Sequence, residues 1–208
     1  AGVHALGNVA VFDTQARMGA DKFTYALNQR LPEDIRIRAS REVPSDFHPR
    51  KTDSVKTYEY HILNEAFPNP LERLYSHFCY VPLDESRMQR AAQYLAGEHD
   101  FQSFCSAGAQ VESTVRTIYE CSVHREGTKL TIRIQGNGFL YNMVRIIAGT
   151  LMEVGRGKYP PETVRDILEA KDRRAAGPTA PARGLILVSY EFPVLKECAA
   201  GAWPGCDV

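Results

Sequence analysis

The sequence predicts an α+β fold with a central, mainly antiparallel sheet and flanking helices, and three observations carry that expectation. Stretches of period-two alternation recur along the chain, stretches of helical spacing stand between them, and from Val55 onward the order reads strand, helix, strand, strand, helix, strand. That order is the split βαβ arrangement of ferredoxin-like domains. A chain of 208 residues, 44% of them hydrophobic, is long enough for one large domain or two small ones with a packed core.

Each element follows from local pattern. Asn8 to Asp13 carries β-branched and aromatic residues and is expected as a strand; Asp21 to Arg30 has helical spacing in Phe23, Ala26 and Leu27 and stops before Pro32. Asp34 to Val43 alternates apolar and charged residues, the pattern of a strand with one buried face, and a polar, proline-bearing loop follows from Pro44 to Ser54. Strand, helix, strand over this region would complete a first ferredoxin-like unit if an upstream strand and helix preceded it. Val55 to Asn64 reads as a strand, and Asp84 to Leu95 as a helix with Asp84 as N-cap and Met88, Ala91, Ala92 and Leu95 on its inner face. Val115 to His124 and Lys129 to Gln135 form a hairpin about Glu126-Gly127, with Leu130, Ile132 and Ile134 on one face. Phe139 to Val154 is a long apolar helix, Pro161 to Ala170 a shorter one, and Leu185 to Phe192 a closing strand. The tail, residues 193–208, has no clear periodicity and is expected to be mobile.

Composition excludes more than it assigns. Lysine and arginine balance aspartate and glutamate, 25 against 25, so there is none of the basic surplus common among nucleic-acid binders. The five cysteines are odd in number and never paired as C-x-x-C, which argues against zinc and a disulfide framework and fits a reducing compartment, the cytoplasm. No apolar run approaches the roughly 20 residues of a membrane span, and no membrane partner is expected. There is no phosphate loop, dinucleotide fingerprint, metalloprotease helix or nucleophile elbow, and the six histidines are scattered, so neither a metal nor a nucleotide cofactor is expected.

Two side chains stand out. Tyr58 and Tyr60 share one face of a strand, where they serve either core packing or a platform for an unstacked base. Arg145 is the single charged residue between Phe139 and Met152; it either snorkels to solvent or meets a carboxylate or phosphate. None of Asp13, Asp46, Asp53 and Asp100 has a neighbouring second carboxylate or histidine that suggests acid/base work, and they read as turn and cap residues.

An ordered set of segments resembles one family. The opening AGVHA matches the second half of the signature G-R-T-D-A-G-V-H-A of the TruA family of tRNA pseudouridine synthases, and ALNQRLPEDI, DFHPR, KTYEY, LDESRMQRAAQYLAGEHDFQSF, GNGFLYNMVRIIAGTLMEVG and RGLILVSYEF follow in the family's order from Ala1 to Phe192. The resemblance implies the pseudouridine synthase fold, two ferredoxin-like (RRM-like) units: residues 1–52 as the remainder of the first, 53–192 as the catalytic second, 193–208 as a tail. It implies isomerisation of uridine to pseudouridine in the anticodon arm of tRNA, at positions 38 to 40, by a homodimer without cofactor. The family's nucleophile is the aspartate of the signature, which falls immediately before Ala1; an upstream segment carrying it is expected, and without it the chain is expected to be inactive. Tyr58 would stack on the flipped base and Arg145 would pair with the aspartate. Gly138, Phe139, Leu140 and Met143 resemble the pocket lining, Gly184, Leu185 and Leu187 the closing strand, and His4, Asn28 and Arg50 match positions near the site or the RNA. The alternative is a non-catalytic RNA-binding or assembly subunit that keeps the fold.

Overall fold

The computed structural model describes residues 2–108 and 111–197. The chain divides into two compact units, Ala1–Asn8 with Asp53–Val208 as one and Val9–Thr52 as the other.

The larger unit is built on a mixed seven-stranded sheet. Its strands are β1 (His4–Ala5), β2 (Val55–Leu63), β3 (His77–Phe78), β4 (Gly97–Asp100), β5 (Val115–Glu126), β6 (Lys129–Gly136) and β7 (Leu185–Glu191), in the spatial order β1-β7-β2-β6-β5-β4, with β3 pairing β2. The helices are α2 (Glu85–Gln93), α3 (Met143–Gly155), α4 (Thr163–Ala170) and α5 (Pro193–Glu197). β2 runs antiparallel to both β6 and β7, while β1 lies parallel to β7 with His4 opposite Ile186.

The core follows from alternation. Leu130, Ile132 and Ile134 on β6 are fully buried, and their cross-strand partners Ile62, Tyr60 and Tyr58 lie on the same face. The turn between β5 and β6 holds Gly127 at φ +58°, a conformation that fixes the hairpin register so that Glu126 pairs with Lys129. Asp84 caps α2 by accepting a hydrogen bond from the Arg87 amide at 3.0 Å, and α2 buries Met88, Ala91 and Ala92. Almost all of α3 is buried; each large apolar side chain taken from water there contributes on the order of 1.5–3 kcal/mol.

Several expectations are corrected. Asn8 to Asp13 and Asp34 to Val43 are not strands: neither forms a ladder, and among the described residues Val9–Thr52 contains only a 3-10 turn at Ala20–Lys22 and α1 (Phe23–Asn28). Alternation equips a segment for a sheet, but the backbone becomes a strand only where a neighbour accepts its hydrogen bonds. α3 begins at Met143 instead of Phe139, because Asn142 sits in the left-handed region (φ 60°, ψ 9°) and breaks the helical path. The short strands β1, β3 and β4 escaped the sequence reading; Gly97–Asp100 has no β-forming composition and is strand only because β5 pairs with it. The expected mobile tail is corrected over Pro193–Glu197, which forms α5 and buries Leu195; beyond Glu197 it falls outside the described residues.

Candidate active site

Tyr58 near the start of β2 meets Phe139 of the loop that leads from β6 into α3, and Arg145 stands in the first turn of α3. Tyr58 lies on the helix-covered face of the sheet, half-buried, its ring edge-on to Phe139 with centroids 5.1 Å apart and planes at 82°. Burial, and then the neighbouring Tyr190, push its phenol above the ordinary range, so it stays neutral. Tyr60, two residues on, is fully buried and donates to the Pro181 carbonyl at 2.9 Å. Core packing therefore accounts for Tyr60, while Tyr58 retains an accessible ring.

Arg145, in the first turn of α3, is also half-buried. Its Nε donates to the Ala180 carbonyl at 2.7 Å and its Nη1 to the Asn142 side-chain oxygen at 2.9 Å. Among the described residues it has no carboxylate partner: Glu153 on the same helix is held by Arg156 and Lys158, each at 2.7 Å. Asn142 was not singled out in the sequence. Its left-handed backbone aims the side chain back at Arg145, and its amide nitrogen donates to Ser106 Oγ at 3.1 Å, so it ties the guanidinium to the loop after Phe104. An asparagine at a helix start was the available signal, since asparagine tolerates this conformation better than most residues.

Around these two side chains Leu140, Met143 and Leu185 are buried and form apolar wall, with Leu187 on the same strand. Gly184 has to be glycine: a Cβ there would stand 2.8 Å from the His61 carbonyl and from the Tyr60 ring. Gly2 lies beside Ala182, with 3.5 Å between a Cβ built on Gly2 and that of Ala182. His4 donates through Nε2 to the Leu74 carbonyl at 2.8 Å and packs against Tyr75. Asn28 and Arg50 belong to the unit Val9–Thr52. There the Asn28 amide both donates to and accepts from the Ile37 backbone at 2.8 Å, and Arg50 is exposed, its backbone amide bonded to His48 Nδ1 at 3.2 Å.

Comparison with known proteins decides the family. Residues 91–193 match the family model described as tRNA pseudouridine synthase. The tRNA pseudouridine synthase A of Halalkalibacterium halodurans is 50% identical over 89% of this chain and 70% of its own length; that of Brevibacillus brevis is 50% identical over 90% of this chain and 77% of its own. The chain belongs to the tRNA pseudouridine synthase A family. A third member, from Acetivibrio thermocellus, is 50% identical over 92% of this chain and 78% of its own length. In this chain no group of three histidine, cysteine or acidic side chains among the described residues could hold a metal ion. No described helix is long and apolar enough to cross a membrane. What the site offers is a half-buried aromatic ring and a guanidinium that, among the described residues, has no carboxylate partner.

Proposed function

We propose that the protein isomerises uridine to pseudouridine at positions 38 to 40 in the anticodon arm of tRNA, using the aspartate that precedes Ala1 in the family signature. The aspartate attacks the ribose C1′ of the flipped nucleotide as its bond to uracil N1 breaks, the base turns on the Tyr58 platform, and C5 attacks the same ribose carbon and displaces the aspartate. The C5 proton leaves and N1 gains one, so no atom is added or lost overall. Arg145 holds the aspartate and the buried leucines keep water from the detached base.

The observation that carries this reading is the guanidinium of Arg145, which among the described residues is bonded to neutral oxygens and to no carboxylate, in an apolar helix. Its partner Ala180 is two residues from Ala182, beside which Gly2 runs; this supports placing the signature's aspartate near Arg145. The order β7-β2-β6-β5 supports reading this unit as ferredoxin-like. A homodimer binding one tRNA across both subunits completes the proposal, and light scattering with tRNA present should give the mass of two protomers plus one tRNA; a clean monomer at micromolar concentration counts against it.

The test is tritium release from C5-labelled uridine in tRNA by the full-length protein. Exchanging the upstream aspartate for asparagine should abolish release and leave folding and tRNA binding intact; Arg145→Leu should do the same, shifting the thermal midpoint by only a few degrees. Wild-type protein that binds tRNA but stays silent on every tRNA tried would mark a non-catalytic RNA-binding subunit instead.

A further inference from the structure

Three cations stand on the helix-covered face at the end of the sheet where β2 begins, and their partners differ. Lys56 lies over the Tyr190 ring, 4.4 Å from its centroid, and Arg145 has the neutral oxygens of Ala180 and Asn142. The third, Arg116, appears in no motif that the sequence reading used. It sits at the start of β5, two residues before the buried Ile118 and therefore on the same face. Its Cδ and Nε lie against Gly138, 3.5 Å from where a Cβ would stand, at the head of the segment that carries Phe139 and leads to Arg145.

Arg116 is part-exposed and rigidly held. Nη1 donates to the Ser113 carbonyl at 2.9 Å and to the Val115 carbonyl at 2.6 Å, which orients the guanidinium but neutralises none of its charge. Among the described residues no carboxylate pairs with it, nor with Lys56 or Arg145. Arg116 also lies near Cys105, whose thiol is pushed up by burial and drawn back by the Tyr141 backbone and then by this cation. A planar donor fork, fixed in place, facing solvent beside an aromatic platform and lacking an internal anion is the arrangement that binds phosphate oxygens.

We propose that Arg116 binds a phosphodiester of the RNA backbone next to the target nucleotide, fixing the strand while the base enters beside Tyr58. This rests on the tRNA reading given above. It assigns the two guanidiniums different work: Arg145 faces the nucleophile, and Arg116 faces the substrate's backbone.

The experiment measures binding of tRNA, and of synthetic anticodon stem-loops in which one phosphate at a time is replaced by a neutral methylphosphonate. Arg116→Gln should weaken binding roughly tenfold and lower the slope of log affinity against log salt by about 0.7 to 0.9, the loss of one phosphate contact. Arg116→Lys should recover most of the slope. In wild-type protein one methylphosphonate position should cost about the same factor as Arg116→Gln, and at that position the loss should vanish in Arg116→Gln. If every methylphosphonate costs wild type and variant alike, or if the variant binds with unchanged affinity and slope, the assignment is overturned; should Arg116→Gln unfold, the same cycle run with the neutral Arg116→Met decides. Wild-type protein that binds no tRNA would overturn the functional reading itself, and this inference with it.

Discussion

Tyr58 keeps an accessible edge where Tyr60, on the same face, keeps none, and the difference sets what each substitution can do. Tyr58→Phe preserves the ring and its contact with Phe139, so tRNA affinity should hold while turnover falls. Tyr58→Ala removes the platform and should weaken capture of the flipped base by roughly 1 to 3 kcal/mol. Filter binding and tritium release on the two variants separate these effects; unchanged affinity and turnover in Tyr58→Ala would remove Tyr58 from the site. Tyr60→Phe, by contrast, loses only the hydrogen bond to Pro181, a stability effect of about 1 kcal/mol read by thermal melting.

At the level of elements, α3 matters most, because it carries Arg145 at one end and is pressed along its length against the segment from Gly177 to Ala180. A Cβ on Gly149 would collide with the Pro178 carbonyl, and Thr150 accepts a hydrogen bond from the Gly177 amide at 3.0 Å. Gly149→Ala should therefore cost about 3 kcal/mol or more and displace the Ala180 carbonyl that holds Arg145; a urea melt indistinguishable from wild type would show that this seam is softer than its geometry. Where such packing is local, the sequence disclosed it. Leu130, Ile132 and Ile134 announced a buried face, and Asp84 announced a cap that the structure reproduces at 3.0 Å. The alternation in Asp34 to Val43 said as much in the same language, but a ladder needs a partner that no single segment encodes. The site divides likewise: Tyr58 and Arg145 were visible as residues out of keeping with their surroundings, whereas Asn142 and Arg116 acquire their meaning only from a left-handed backbone turn and from a strand register.

For the whole molecule, balanced charge leaves pH dependence to individual buried groups. His77 has an Nδ1 that is buried without a hydrogen-bond partner among the described residues, and burial, then the nearby Arg183 and Arg156, lower its pKa below the ordinary histidine value. With the folded pKa below the unfolded one, the unfolded chain binds the proton first. The neutral imidazole thus contributes stability that is fully present above about pH 6.5 and is lost as pH falls toward the folded value. Urea melts between pH 8 and 5 should show a steeper acid decline for wild type than for His77→Gln, and equal slopes would clear His77 of this role. The order of strands has a consequence in time. β7 is inserted between β1 and β2, so the first strand of this sheet, His4–Ala5, has no ladder to join until Leu185–Glu191 has been made and has closed on β2. On a translating ribosome the β5–β6 hairpin and its helices have everything they need long before that. A nascent chain stalled before Leu185 would therefore carry Tyr58, Phe139 and Arg145 but lack the two strands, β7 and β1, that close the site beside them.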